Sequence, residues 1–102
     1  MYEIKYLPTI QKDLEFISDY ISLTLSAPQA ALDFLDTLEK AILNLKDYPF
    51  AHRLYRPIKP INTEYRVMTV KNYLVFYTVL EETIEIHRVI YKRRDLSQLI
   101  TE

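Results

Sequence analysis

The sequence predicts an α+β fold in the order β-α-α-β-β-β, an N-terminal helix hairpin packed on one face of a mostly antiparallel four-stranded sheet. Three observations carry this. Apolar residues recur every three or four positions between Ile10 and Leu45, the period of two amphipathic helices. From Glu64 to Lys92 the pattern changes to β-branched and aromatic runs. Only Lys71-Asn72 and Glu81-Glu82 separate those runs, which suits tight antiparallel hairpins.

Tyr2, Ile4 and Tyr6 alternate with Glu3 and Lys5, the mark of a short half-buried strand. Pro8 ends it and suits the first turn of a helix. Ile10, Leu14, Ile17, Ile21 and Leu25 then form the apolar stripe of a helix of about four turns, with Lys12, Glu15 and Asp19 on the other side. Ser26-Ala27-Pro28 breaks it and opens a second helix, with Ser26 or Ala27 at the cap and Pro28 near its first position. Ala31, Phe34, Leu35, Leu38, Ile42 and Leu45 make the second stripe, Asp36 and Lys40 are a favourable i,i+4 pair, and Pro49 sets the limit. Residues 49–63 carry Pro49, Pro57 and Pro60 and read as an irregular connection, the best candidate for a mobile or functional loop. Tyr73–Leu80 is apolar on both faces and belongs in the middle of the sheet. Arg93–Glu102 reads as a short helix or a frayed tail.

One core and one domain, residues 1–102, fit the length. The chain has no cysteine, which removes disulfides and thiolate metal sites, and its two histidines match no zinc-ligand spacing. It has no glycine, so phosphate-cradling loops that depend on glycine are excluded and the turns are expected to rest on Pro, Asn and Asp. No run approaches the length of a membrane span and the first residues lack a signal-peptide pattern, so the expectation is a soluble cytoplasmic protein without membrane contact. Charge is uneven: residues 1–50 hold four lysines against eight acids, residues 51–102 nine basic groups against six. The second half therefore offers a basic surface for phosphates or an acidic partner.

Three stretches resemble the RelE/ParE toxin superfamily: Tyr6-Leu7-Pro8 with Asp13-Leu14, Ile17 and Tyr20-Ile21; Pro28 with Ala30-Ala31, Phe34, Leu38, Ile42, Leu45 and Pro49; and Glu64-Tyr65-Arg66 through Tyr73–Tyr77 and Ile84–Ile86 to Arg88–Tyr91 and Arg93-Arg94-Asp95. The resemblance implies the toxin of a type II toxin–antitoxin module, neutralised by a cognate antitoxin protein that alone carries operator binding, and it implies no cofactor. Two targets are known in that superfamily, DNA gyrase and mRNA on the ribosome. The ribonuclease branch typically has an arginine directly after the tyrosine of the central strand; here that place is Leu74. Leu74 and the Ile86-His87-Arg88-Val89-Ile90 stretch look closer to the gyrase-directed branch. A ribosome-dependent, metal-independent endoribonuclease and an inactive antitoxin-binding remnant are the alternatives.

Metal-free RNA cleavage requires a base for the 2′-OH, cations for the phosphorane and an acid for the leaving oxygen. If the chain is that enzyme, Arg66, His87, Tyr91 and Arg93 are the candidate catalytic residues; Lys92, Arg94, His52 and Arg53 are candidates for phosphate or partner binding. Period two along the last strand places His87, Val89, Tyr91 and Arg93 on one face and Ile84, Ile86, Arg88 and Ile90 on the other. The isoleucine face is expected to meet the helices, which would leave Tyr91 and Arg93 on an open face. Arg88 on an apolar face requires a partner, and Asp13, on the inner side of the first helix, is the expected one.

Overall fold

The computed structural model describes residues 2–59 and 61–96. The order is β1 (Glu3–Tyr6), α1 (Pro8–Asp19), a π-helical turn (Tyr20–Thr24), α2 (Pro28–Asn44), β2 (Arg66–Val70), β3 (Tyr73–Leu80) and β4 (Thr83–Tyr91). The sheet runs β1-β4-β3-β2; β1 is parallel to β4 and the other pairs are antiparallel. The tail expected over Arg93–Glu102 falls mostly on 97–102, outside the described residues, and Arg93 and Arg94 follow β4 in a turn.

Proline sets the helix starts. Pro8 and Pro28 both stand at the first helical position, where a missing N–H costs nothing, after caps at Leu7 and Ala27 that use no side-chain hydrogen bond. The first helix does not stay regular through Leu25. At its end the Leu25 N–H bonds to Tyr20 O at 3.0 Å, a five-residue step. The wider turn rotates later side chains away from the stripe, so Leu25 is 55% exposed although its spacing placed it in the core. Ile10, Ile17, Phe34, Leu38, Ile42 and Leu45 are buried against Val75, Tyr77, Ile84 and Ile86 of the sheet. The Tyr77 hydroxyl donates to Pro49 O at 2.9 Å and anchors the chain just after α2.

The other face of the sheet is not open as expected. Val67, Leu74, Phe76 and Ile90 form a second, smaller core there, beneath Tyr55, Ile61, Tyr65 and Leu96. The Pro-containing connection folds back because residues 53–55 pair with the rim of β2: Leu54 bridges Arg66, Tyr55 N–H bonds to Tyr65 O at 2.8 Å, and Val67 N–H to Arg53 O at 3.0 Å. Once the backbone is paired, Tyr55 packs edge-on against Phe76 at 5.1 Å.

Without glycine, the left-handed positions fall not to Asn or Asp but to Ser26 (φ 53°), Lys71 (φ 56°) and Glu81 (φ 55°). The last two begin the two-residue hairpin turns, whose geometry demands positive φ whatever the side chain. Relief of Cβ strain of about 1–2 kcal/mol, less the extra unfolded-state freedom of glycine, leads us to expect Lys71→Gly and Glu81→Gly each to stabilise by about 0.5–1 kcal/mol, read as a higher urea midpoint.

Candidate functional site

A one-residue bulge in β4 decides where the candidate side chains lie. Phe76 is paired with Arg88 but Tyr77 with Ile86, so His87 is the extra residue. Before the bulge Ile84 and Ile86 face the helices; after it Val89 and Tyr91 do, and Ile90 turns to the small core. The period-two assignment of the last strand therefore fails beyond His87, and Tyr91 is on the helix side rather than on an open face.

The four residues assigned to RNA cleavage do not converge. Arg66, cross-strand partner of Tyr77, donates from Nη1 to His52 O at 2.8 Å and lies 4.9 Å over the Phe50 ring, near the C-terminal end of α2. Tyr91 is four pairs further along the sheet, opposite Tyr73, with ring centroids 5.7 Å apart. His87 is on the other face, with Nε2 3.2 Å from Thr78 Oγ1 and 3.6 Å from Glu85 Oε1, and Nδ1 3.4 Å from the Tyr65 hydroxyl. Arg93 is exposed in the turn after β4, beside Lys92, whose N–H bonds to Asn72 O at 2.9 Å. His52 stands edge-on to Tyr77 at 6.3 Å, and Arg53 is exposed in the connection.

Burial pushes the His87 pKa below the ordinary imidazole value, outweighing the Glu85 carboxylate, which raises it. The unfolded chain therefore takes up this proton first. The contribution is complete above the unfolded value near 6.5 and is lost as pH falls through the folded one. Burial shifts His52 the same way. His87→Gln is expected to lose less stability than the parent between pH 7 and pH 5, measured by urea unfolding at both.

Asp13 and Arg88 meet. Oδ2 and Oδ1 of Asp13 accept from Nε and Nη2 of Arg88 at 2.7 and 2.9 Å, and Oδ2 also accepts the Val89 N–H at 3.0 Å. β1 pairs with β4 only as far as Ile86, so the next stretch of that edge needs other partners. Thr9 Oγ1 donates to the His87 carbonyl at 2.9 Å and Asp13 takes the Val89 N–H. One face of α1 thus finishes the sheet edge.

Beside this pair opens a groove of about 1220 Å³, between α1 with its π-helical turn, the start of α2, and the ends of β3 and β4. Phe16, Tyr20, Leu25, Phe34, Tyr73 and Tyr91 give it an apolar lining, and the exposed Lys12, Lys71 and Arg94 stand on its rim. Such a surface suits an amphipathic segment that carries acids along its flank. Phe16 and Tyr20 were absent from the sequence candidates. The signal was a second apolar line at i,i+4 beside the core stripe, with Phe16 left 67% exposed.

The family model described as ParE toxin of type II toxin-antitoxin system, parDE, matches residues 4–96. The chain belongs to the ParE toxin family. No curated protein matches it in sequence. Among solved structures, a chain of the chromosomal ParDE toxin–antitoxin system from P. aeruginosa superposes with a TM-score of 0.69 at 20% identity, over 89% of this chain and 96% of that one. YafQ from E. coli strain BL21(DE3) gives a TM-score of 0.58 at 12% identity, over 90% and 94% of the two chains. A chain of the E. coli DinJ–YafQ complex gives 0.58 at 12%, over 89% and 93%. These three share the fold of this ParE-family toxin, two helices on a four-stranded mixed sheet. No helix among its described residues is long and apolar enough to cross a membrane.

Proposed function

We propose that this ParE-family toxin acts on DNA gyrase rather than by cutting RNA, and that a cognate antitoxin silences it by laying an amphipathic segment into the groove. The observation that carries the first part is Leu74. It stands where the ribonuclease branch typically has an arginine, and it is 9% exposed in the small core beneath Tyr55, Ile61 and Tyr65. The face that would hold a phosphorane is apolar and covered at that point, and Arg66 and Tyr91 lie on the opposite side of the sheet. The antitoxin follows from the family and from relatives whose structures come from a ParDE system and a DinJ–YafQ complex.

Inducing the chain alone while following DNA breakage and mRNA cleavage tests the target. Growth arrest with DNA breaks, an SOS response and intact mRNA is expected. Cut mRNA with unbroken DNA would replace this reading with the ribonuclease one, and unaffected growth would leave an antitoxin-binding remnant. Arg93→Ala, exposed and outside the groove lining, is the control that separates a cationic contribution from the groove.

The docking claim has its own test. Phe16 and Tyr91 are aromatic, partly exposed and on facing walls of the groove. Truncating an interface aromatic typically costs about 1–2 kcal/mol or more. Phe16→Ala and Tyr91→Ala are each expected to weaken antitoxin binding about ten- to thirtyfold by calorimetric titration, with little change in the thermal midpoint of the free toxin.

A further inference from the structure

The connection between α2 and β2 brings together three arginines that the toxin reading does not use. Arg53, Arg56 and Arg66, with Leu54 and Tyr55, line a shallow pocket of about 650 Å³ at the outer rim of β2. Their convergence is imposed by the backbone. Two hydrogen bonds and the Leu54–Arg66 bridge fix residues 53–55 against the strand, and the Tyr55 ring is wedged against Phe76. Like charges held on one pocket repel, and a fold commonly offsets this with carboxylates. Here it does not. Among the described residues the ion pairs are Lys40–Asp36, His87–Glu85 and Arg88–Asp13, and none reaches this pocket. Arg66 spends one N–H on His52 O, which orients its guanidinium and leaves its other donors for a ligand.

We infer that this pocket is a binding site for a phosphate group. Planar guanidinium forks match phosphate oxygens in pairs, and three of them suit a multiply charged oxyanion better than a single carboxylate. The site is separate from the apolar groove, whose lining shares none of these residues. It does not depend on which target the toxin has. The phosphate has two possible sources, a small phosphate-bearing molecule or the backbone of a nucleic acid, and the same chemistry serves both.

The purified chain is titrated with inorganic phosphate against sodium chloride of equal ionic strength, then with a fluorescent single-stranded RNA oligonucleotide. Phosphate is expected to raise the thermal midpoint by about 6 °C at tenfold saturation, and to move the amide signals of residues 53–56 and 65–66. Combining Arg53→Ala with Arg56→Ala should abolish the shift, whereas combining Lys12→Ala with Lys71→Ala on the groove rim should leave it intact. Arg53→Lys with Arg56→Lys, which keeps the charge and loses the fork, should retain only part. An oligonucleotide that binds at least about tenfold tighter than phosphate, with a salt slope that falls by about 0.7 for each arginine replaced in the double alanine variant, identifies the backbone as the source. Equal affinities identify the small molecule. The site is refuted if phosphate stabilises no more than chloride, if the moved signals lie elsewhere, or if the double alanine variant responds like the parent.

Discussion

Phe76→Ala is expected to cost about 3–5 kcal/mol, the usual loss when a buried phenylalanine is cut back in a core that cannot collapse around the gap. Phe76 is fully buried and on the face away from the helices. It takes the edge of Tyr55 at 5.1 Å and of Tyr65 at 6.3 Å, so its ring is the floor on which the connection rests. A domain of this size commonly has about 5–15 kcal/mol in total, and the variant would therefore sit near the limit of folding. The global loss is read from urea unfolding. A local consequence distinguishes a real second core from a thin covering: amide exchange at Tyr55 and Val67, whose N–H groups bond across the rim of β2, should speed up far more than exchange in α2. A loss below about 1.5 kcal/mol with both amides still protected would mean that the far face is held by something other than this ring.

That small core also shows where the sequence stopped being readable. The element order was legible because Pro8, Pro28 and Pro49 punctuate it and because Tyr73–Leu80 is apolar at both parities, which only an interior strand requires. The cover over the far face was legible in principle. Tyr55, Ile61 and Tyr65 are large apolar residues in a stretch otherwise read as irregular, and such residues seldom stay in water when a bare sheet face is near. The bulge at His87 had no comparable signal. No glycine marks it, and Ile84, Ile86, Arg88 and Ile90 alternate as well with it as without it. One inserted residue moved Val89 and Tyr91 to the helix side, and with them the expected open face. The candidate site suffered for that reason: residues assigned by strand parity scattered. The contact of Asp13 with Arg88 was argued from the same parity and forms nonetheless, because α1 lies along the stretch of β4 that β1 no longer pairs. Arg56 was missed because nothing in the sequence tells that residues 53–55 fold back along β2.

Asp13→Ala is the second large effect, expected at about 2–4 kcal/mol. Salt bridges in water are worth little, and the size of this one turns on burial: the side chains of Asp13 and Arg88 are only 12% and 26% exposed. Alanine removes two acceptors from the Arg88 guanidinium and the acceptor of the Val89 N–H together, at the stretch of β4 that β1 no longer reaches. Asp13→Asn keeps an oxygen for the amide but loses the charge-assisted fork, and should cost about half as much. Arg88→Met keeps much of the aliphatic stem and leaves the Val89–Asp13 bond in place. In a double-mutant cycle of Asp13→Ala with Arg88→Met, a coupling of about 1.5–3 kcal/mol is expected, since Arg88→Met also removes the guanidinium that Asp13→Ala deprives of this carboxylate. A coupling below about 0.5 kcal/mol would show that α1 is held to the sheet by its isoleucines alone and that the carboxylate serves only the Val89 amide.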